Sequence, residues 1–482
     1  MKALMNRRAF IRRTGAGAFG LLCSGAAKAA SGAGTAAPNV ILCMADDLGW
    51  RDTGYNGHPA LRTPNLDDMA RRGLCFDRFY SGAPVCSPTR GSCLTGRHPY
   101  RYGVFSANVG HMPPEELTLA EVLKSRGYIT GHFGKWHLGT LTTTVPDSNR
   151  GGPDGVEHYS PPWDNGFDVC FSTEAKVPTW DPMVTPETDA GGTGTKTPGE
   201  PYCTWYWTGP GIRAEDNLDG DDSRVIMDRA VRFMREAVSS GKPFFAVIWF
   251  HTPHLPVVAG KKYLDMYDGQ PVEKRHFYGC VSAMDEQVGR LRGELRKLGV
   301  ASDTMFWFTS DNGPELERIG KRAQGSAGPY RGRKRSLFDG GVHVPGLLEW
   351  PSKITGPRTV TMPASTLDYF PTVLDVLNVP AESGPEPHDG VSLQPLIEGR
   401  MSSRPAPICF ESGKQISVVD NRYKLISLDR GETFLLFDLV ENPGETDDIA
   451  EKNPKTAHHL RTVLEQWRRS CTASRGGRDY RR

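Results

Sequence analysis

The chain has 482 residues, of which 38% are hydrophobic and 24% are charged, as in an ordinary globular protein. These fractions argue against a disordered chain and against a bundle of membrane helices. The formal charge of +2 is misleading, because six basic residues and no acidic residue lie in the first 29 positions. Beyond them the chain has 52 basic and 56 acidic residues, and this weakly acidic balance gives no electrostatic basis for binding nucleic acid.

Residues 1–29 have the order of regions that is typical of an export signal. Arg7 and Arg8 precede an apolar stretch at residues 15–27, and Ala27-Lys28-Ala29 forms a suitable cleavage site. The apolar stretch is too short to cross a bilayer as a helix, so we expect no transmembrane anchor. The paired arginines resemble a twin-arginine signal, which exports folded proteins, and predict a periplasmic or secreted protein. An ordinary secretory signal and lipid attachment at Cys23 are the alternatives.

Ten cysteines are present, and nine remain once the leader with Cys23 is removed. An odd number leaves at least one thiol with a fate other than pairing. Export would permit disulfides, but no C-x-x-C pair or cysteine-dense segment requires them.

Four apolar strands, three of them preceded by an amphipathic helix, lead into clusters of polar residues. Helices are predicted at residues 117–124, 223–238 and 281–298, and the strands at 38–45, 127–130, 244–250 and 304–309. The polar residues that follow the four strands are Asp46 and Asp47, Lys135 and His137, His251 and His254, and Asp311 and Asn312.

Helices that alternate with almost continuously apolar strands indicate an α/β fold, with a large, mostly parallel central sheet covered by helices on both faces. Ligands of such sheets bind beyond the carboxyl ends of the strands. We therefore expect the four polar clusters to meet at one edge of the sheet, although more than 250 residues separate the first from the last.

Two other parts of the chain differ in composition. Residues 138–222 are rich in Gly, Pro, Thr and Asp and are predicted to be functional loops. Predicted strands at 423–426 and 434–439 and a helix at 454–469 indicate a small C-terminal α+β subdomain. The predicted organisation is a leader at 1–29, a catalytic α/β domain at 30–400 and the subdomain at 401–482. The loop aromatics, which could stack on sugar rings, are Trp163, Trp180, Trp205, Tyr206 and Trp207.

Residues 86–97 read CSPTRGSCLTGR, and this string resembles the signature of the formylglycine-dependent sulfatases. A five-residue C-x-P-x-R pattern alone would be weak, but the longer string is specific. The resemblance extends over about residues 38–450 and implies an alkaline-phosphatase-like fold. It also implies that a maturation enzyme oxidises Cys86 to formylglycine. The expected activity is that of a sulfuric ester hydrolase.

The resemblance implies a covalent mechanism at Cys86. A hydroxyl of the formylglycine hydrate attacks sulfur, the alcohol leaves, and the second hydroxyl then expels sulfate from the sulfo-enzyme intermediate and regenerates the aldehyde. An unmodified Cys or Ser would be left as a stable sulfated side chain, so the second hydroxyl is what permits turnover.

The family's metal ligands match Asp46, Asp47, Asp311 and Asn312, and the modified Cys86 completes the set. Oxygen donors without His or thiolate suit a hard cation, which favours Ca²⁺ and leaves Mg²⁺ open. Taken singly, the Asp46–Asp47 pair would be interpreted as a solvated turn or a helix cap, and Asp311–Asn312 as a turn. Their joint position at strand ends favours a metal site.

Five further residues match family residues that act on the sulfate group. Arg90 is expected to steady the formylglycine, although a structural salt bridge is the alternative role. Lys135, His137 and Lys334 are expected to bind the sulfate or contact the hydrate, where cations stabilise the charge that develops. His254 is expected to protonate the leaving oxygen.

Three other residues near these positions carry different expectations. His251 is expected to be a structural histidine whose ring nitrogens are satisfied within the protein. The chain departs from the common family pattern at Asp339, where Glu is usual, and at His343, where Arg is usual. We expect these two departures to affect local packing but none of the catalytic roles implied by the resemblance.

Two other functions remain open at this stage: a phosphonate or phosphate monoester hydrolase of the same superfamily, and an inactive glycan-binding relative. The inactive glycan-binding relative is disfavoured, because every catalytic position implied by the resemblance carries the matching residue. The expected substrate is a sulfated polysaccharide or oligosaccharide. The sequence does not determine which sugar or sulfate position is attacked, whether the action is exo or endo, or the oligomeric state.

Overall fold

A computed structural model of the protein describes residues 37–192, 194–380 and 384–480. The predicted leader, with Arg7, Arg8 and Cys23, lies outside the described residues. Within the described part no helix has the length and apolarity needed to cross a membrane. Its nine cysteines are all free thiols.

The described residues form one large sheet and two small ones. The strands are β1 (Asn39–Ala45), β2 (Leu74–Phe76), β3 (Phe79–Tyr80), β4 (Ile129–Lys135), β5 (Val169–Thr173), β6 (Trp207–Gly209), β7 (Ile212–Arg213), β8 (Phe244–Trp249), β9 (Thr304–Ser310), β10 (His343–Val344), β11 (Gly346–Glu349), β12 (Arg358–Val360), β13 (Ala364–Ser365), β14 (Ile408–Ser412), β15 (Gln415–Val419), β16 (Tyr423–Ser427) and β17 (Leu435–Asp438).

The large sheet has ten strands in the order β12-β2-β11-β9-β1-β8-β4-β5-β6-β7. Its five central strands, β9, β1, β8, β4 and β5, are parallel to one another, and antiparallel pairs occur toward both edges. This confirms the predicted mixed, mostly parallel sheet. The four strands predicted from the sequence are adjacent in it, so their carboxyl ends lie side by side.

The central strands are buried on both faces, which explains their continuous apolar sequence. Every residue of β1 is buried. Val40, Leu42 and Met44 belong to one hydrophobic core, and Ile41 and Cys43 belong to the other. The sheet therefore separates two cores, and helices cover both faces as predicted.

The α-helices of the described residues are α1 (Pro64–Ala70), α2 (Cys86–Thr95), α3 (Leu119–Ser125), α4 (Asp222–Ser239), α5 (Lys261–Asp265), α6 (Val272–Lys297), α7 (Asp339–Val342), α8 (Tyr369–Val376), α9 (Gln394–Ile397) and α10 (Pro454–Arg475). Helix α4 begins after Asp221, whose side chain accepts a hydrogen bond from the backbone N–H of Arg224 at 2.9 Å. The predicted bounds of α4 and β8 are accurate to one residue, whereas α6 begins nine residues before the predicted start.

The C-terminal part contains the antiparallel sheet β14-β15-β16-β17. One face of this sheet packs on Tyr80 and Leu337 of the main body. The other face packs on Leu460 and Leu464 of α10. The structure thus has four strands where the sequence predicted two, with the predicted α+β character. The division at residue 400 stays a prediction.

The two departures from the family pattern lie where these parts meet. The Asp339 carboxylate accepts hydrogen bonds from Tyr80 at 3.1 Å and from Lys424 of β16 at 2.7 Å. His343 Nδ1 lies 3.2 Å from the same carboxylate, and its Nε2 donates to the carbonyl oxygen of Asp77 at 2.6 Å. Both residues therefore have a packing role and lie in a buried polar network.

Candidate active site

The predicted polar clusters do meet at the carboxyl edge of the large sheet. Asp46 directly follows β1, and its N–H donates to the carbonyl oxygen of Thr252 in the segment after β8 at 2.9 Å. Asp311 directly follows β9, and its N–H donates to the carbonyl oxygen of Ala45 at 3.1 Å. Lys135 is the last residue of β4. Three segments far apart in sequence are thus joined by backbone hydrogen bonds at one edge.

Cys86 lies at this edge, at the first position of α2. All ten residues of α2 are buried, so the helix crosses the interior of the protein. Gly96 ends α2 in the left-handed region at φ 66°, and a Cβ there would lie 2.8 Å from Phe370 Cβ. Burial raises the pKa of the Cys86 thiol. Ligand atoms of Cys86, Asp46 and Asp311 lie within 4.8 Å of one another.

The carboxylate and amide oxygens form a set that fits a hard cation. Asp46, Asp47, Asp311 and Asn312 are all buried. Asn312 Nδ2 donates to Asp47 Oδ1 at 2.7 Å, which fixes the orientation of the amide. Asn312 Oδ1 and Asp46 Oδ1 are then buried oxygens without a hydrogen-bond partner in the described structure. Buried acceptors in this state are what a bound cation would satisfy.

Each carboxylate of this set has a buried cationic partner at 2.6 Å, and Asp46 also has Arg90 at 3.5 Å. Lys135 Nζ lies 2.6 Å from Asp46 Oδ2, and Lys334 Nζ lies 2.6 Å from Asp47 Oδ1. Arg90 Nη2 lies 2.6 Å from Asp311 Oδ2. The predicted sulfate-binding lysines are therefore ion-paired with the predicted metal ligands, and the three pairs balance in charge.

The pKa values of these groups follow from burial and from these neighbours. Burial would raise the pKa of Asp46, but Lys135, His254 and Arg90 outweigh it and hold that pKa well below its usual value. Burial and the adjacent Asp46 carboxylate raise the pKa of Asp311 to about 7.

The orientation of His137 is fixed by a residue that the sequence did not indicate. His137 Nε2 lies 2.9 Å from Asn108 Oδ1. Because a carbonyl oxygen only accepts, Nε2 carries the proton in this pairing. The other ring nitrogen, Nδ1, is buried and has no hydrogen-bond partner in the described structure. His137 thus presents a lone pair on Nδ1.

His254 and His251 differ as predicted in their surroundings. His254 Nδ1 donates to the carbonyl oxygen of Leu255 at 2.6 Å, and its Nε2 lies 3.6 Å from Asp47 Oδ2. His251 is satisfied on both sides, by Asp222 Oδ2 at 2.8 Å and by Thr173 Oγ1 at 2.8 Å. The structure therefore places His254 against the predicted metal ligand Asp47 and His251 in a closed structural network.

Lys176 is a second residue that the sequence did not indicate. It follows β5 and is half-buried at the same edge of the sheet. Burial and the nearby Lys135 and Lys334 ammonium groups lower its pKa to about 8. No periodicity or motif marks Lys176 or Asn108, because loop contacts alone determine their positions.

Two of the loop aromatics are core residues. Tyr206 is fully buried and stacks on Phe171 with ring centroids 4.0 Å apart. Trp207 is buried, and its Nε1 donates to Asp147 Oδ2 at 2.8 Å. The expectation of sugar stacking is therefore wrong for these two, because neither ring faces solvent. Trp163, Trp180 and Trp205 are half-buried.

Comparison with known proteins agrees with this site. The sulfatase family model matches residues 38–379, which is more than half of the chain. The chain belongs to the sulfatase family. A second model, the C-terminal region of N-sulphoglucosamine sulphohydrolase, matches residues 330–470. The protein is therefore a sulfuric ester hydrolase, as the motif at Cys86 predicted.

Individual sulfatases match over most of their length. Arylsulfatase A of Bos taurus is 31% identical, over 91% of this chain and 89% of its own. N-acetylgalactosamine-6-sulfatase of Sus scrofa is 32% identical, over 76% of this chain and 67% of its own. The crystal structure of Ps i-CgsB in complex with k-i-k-neocarrahexaose is 26% identical with a TM-score of 0.74, covering 89% of this sulfatase and 92% of that chain.

Proposed function

We propose that this sulfatase removes sulfate from a sulfated polysaccharide or oligosaccharide, with a formylglycine made from Cys86 as the nucleophile. The observation that carries the proposal is the convergence of Cys86, Asp46 and Asp311 within 4.8 Å. The carbohydrate substrate is supported by the neocarrahexaose in the complex of the related Ps i-CgsB structure.

In the first step, different residues act on the sulfate oxygens and on the leaving sugar oxygen. Lys135 and Lys334 hold sulfate oxygens and stabilise negative charge as the ester S–O bond breaks. One hydroxyl of the formylglycine hydrate, after losing its proton to solvent, forms a bond to sulfur. The ester S–O bond breaks, and the sugar oxygen leaves with the bonding electrons. His254 Nε2 gives that oxygen a proton. A neutral His254 carries its proton on Nδ1, so this role requires the doubly protonated ring, which the negative charge of a bound sulfate favours.

The second step releases sulfate from the modified side chain. The remaining hydroxyl loses its proton, the carbon–oxygen bond to sulfate breaks, and the aldehyde forms again. His137 Nδ1, with its lone pair fixed by the Nε2 contact to Asn108, is the group that accepts this proton. Water then hydrates the aldehyde for the next turnover.

We propose Ca²⁺ as the resident cation, with Mg²⁺ as the alternative, held by Asp46, Asp47, Asp311 and Asn312. Bound there, it would polarise a sulfate oxygen and lower the pKa of the hydrate hydroxyl. Arg90 Nη2 lies 2.6 Å from Asp311 Oδ2 and keeps that carboxylate in place.

The experiment compares hydrolysis of 4-nitrophenyl sulfate, 4-nitrophenyl phosphate and a panel of sulfated oligosaccharides by the purified protein with Ca²⁺. Sulfate esters are expected to react at least tenfold faster than the phosphate ester, and Cys86→Ala is expected to lose the activity. Cys93→Ala is the matched control, because Cys93 is a buried thiol of the same helix that packs in the core. Preference for phosphate, or sulfate release by Cys86→Ala, would contradict the proposal.

We also propose export by the twin-arginine route after modification by a maturation enzyme. Only 2% of Cys86 is exposed in the fold, so oxidation has to precede folding. A route that exports folded protein then requires oxidation in the cytoplasm. The formylglycine-bearing peptide is expected in the cytoplasmic fraction, and unmodified Cys86 there with aldehyde only after export would contradict this order.

A further inference from the structure

Lys176 lies between the two histidine segments of the active site. Two residues before it, the carbonyl oxygen of Glu174 accepts a hydrogen bond from the His137 N–H at 2.9 Å. Three residues after it, the N–H of Thr179 donates to the carbonyl oxygen of Pro256 at 3.2 Å, just beyond His254. The backbone therefore fixes Lys176 beside both segments.

The surroundings of the Lys176 ammonium group leave it partly enclosed. A Cβ at Gly192 would lie 2.9 Å from Lys176 Nζ and 3.1 Å from Leu255 Cβ. The loop that carries Gly192 is held in place by a backbone hydrogen bond from Val257 N–H to the Ala190 carbonyl oxygen at 3.0 Å. Because Gly192 has no side chain, the Lys176 ammonium group has room beside Leu255, the residue that follows His254.

The ammonium group of Lys176 has no ion-pair partner of its own in the part of the chain that the structure describes. Lys135, Lys334 and Arg90 each have a carboxylate at 2.6 Å. Lys176 forms no hydrogen bond or ion pair with any residue in the described ranges. The nearby Asp47 carboxylate is already paired with Lys334. A half-buried cation beside two further lysines is unfavourable unless an anion joins it.

We infer that Lys176 binds a second anionic group of the substrate, a sulfate or a carboxylate on the same or the adjacent sugar. The inference rests on the proposed function, because the scissile sulfate has to occupy the neighbouring site. It assigns the substrate to saccharides with at least two anionic groups, and it makes Lys176 a specificity-determining residue.

The test measures binding by calorimetry in the Cys86→Ala background with Ca²⁺, so that hydrolysis does not consume the ligand. The probes are matched pairs of saccharides that share one sulfated sugar and differ in a second anionic group. One set of pairs adds a sulfate and the other adds a uronic acid carboxylate. The set in which the saccharide with two anionic groups binds more tightly shows whether the second group is a sulfate or a carboxylate.

The doubly charged member of at least one pair is expected to bind tenfold or more tightly than the singly charged member. Lys176→Gln should reduce this ratio to about twofold or less, and Lys176→Arg should retain part of it. Lys297→Gln is the control, because Lys297 is an exposed lysine at the end of α6 that is already paired with Glu294 at 2.8 Å, and it should leave the ratio unchanged.

Two results would overturn the inference: no pair shows the preference, or Lys176→Gln weakens both members of each pair equally. The second result would assign Lys176 to the scissile sulfate. Because binding is measured without turnover, failure of the proposed function is seen separately, as absence of sulfate release by the protein that retains Cys86.

Discussion

Arg90 Nη2 lies 2.6 Å from Asp311 Oδ2, and neither side chain has any exposed surface. Arg90 also donates to the carbonyl oxygen of Lys135 at 3.0 Å and lies over the ring of Trp249 at 5.2 Å. One guanidinium group therefore joins the ends of β9 and β4, and it belongs to the same helix as Cys86. These contacts support the alternative role of Arg90 as a structural salt bridge, and its role at the formylglycine stays a prediction.

Replacing Arg90 should therefore affect both stability and activity. Arg90→Ala leaves the buried Asp311 carboxylate without its partner and is expected to lower the free energy of unfolding by about 3–5 kcal/mol. Urea unfolding measures this change. Arg232→Ala is the control, because Arg232 and Glu236 form an exposed pair at 2.9 Å, and solvent screening makes its expected contribution much smaller. An equal effect of the two substitutions would show that the buried pair is not needed.

Removal of the cation should destabilise the protein as well as inactivate it. Without a cation, Asp46 Oδ1 and Asn312 Oδ1 stay buried and unsatisfied. Chelation is therefore expected to lower Tm and abolish sulfate release, and Ca²⁺ at about 100 times its Kd should restore about 2.7 kcal/mol. Differential scanning calorimetry with Ca²⁺ and with Mg²⁺ tests this and identifies the preferred ion.

A matched pair of variants locates the cation. Asp47→Asn should reduce the Ca²⁺-dependent rise in Tm, whereas Asp216→Asn should leave it unchanged, because Asp216 is exposed and pairs with Arg229. A chelated protein that keeps both its Tm and its activity would contradict the assignment.

The two histidines after β8 should respond differently to substitution. His254→Ala is expected to lower kcat on a sugar sulfate by about 100-fold or more, because the sugar oxygen needs a proton to leave. The loss should be smaller on 4-nitrophenyl sulfate, because nitrophenolate leaves readily without one. His251→Ala should instead lower Tm, since it breaks contacts to Asp222 and Thr173 at 2.8 Å. Equal losses by His254→Ala on both substrates would rule out proton donation.

Asp221 should contribute a pH dependence to stability. Burial raises its pKa from 3.8 to about 7 in the folded protein, and Asp222 adds to this rise. The folded state therefore binds this proton more tightly than the unfolded state. The contribution is fully present below about pH 4, the unfolded pKa, and is lost as pH rises through about 7.

Asp221→Asn keeps the cap of α4 but cannot ionise. Its stability relative to the wild type is therefore expected to rise between pH 4 and pH 8. Urea unfolding at several pH values measures this difference, and a difference that does not change with pH would show that Asp221 does not titrate in this range.

The central part of the fold could be predicted because burial on both faces gives β1, β8 and β9 continuous apolar sequences. The same pattern placed Asp46, Asp311 and the histidines at strand ends, and the parallel arrangement then brought them together. Strand β5 was missed because it has five residues and begins with the exposed Val169. Strands β14 and β15 were also missed, although they are no shorter than the predicted β16 and β17, because tertiary contacts decide their pairing with each other.

A residue of the candidate site could be predicted only where its side chain has a recognisable chemistry and it also follows the end of a predicted strand. Asn108 lies 29 residues from His137 in the chain and reaches it through a loop, so no spacing indicates the contact. Lys176 resembles any loop lysine in the sequence. Its lack of an ion-pair partner among the described residues is visible only once Lys135, Lys334 and Arg90 are seen with their carboxylates.

The most direct test of the account is the chemical identity of residue 86 in the active enzyme. Trypsin should release residues 79–90 as one peptide, and mass spectrometry of it distinguishes a thiol from an aldehyde. The account predicts that the side chain has lost sulfur and carries an aldehyde, which reacts with hydrazide reagents, in proportion to the sulfatase activity of each preparation. Full activity with an intact thiol at Cys86 would contradict it.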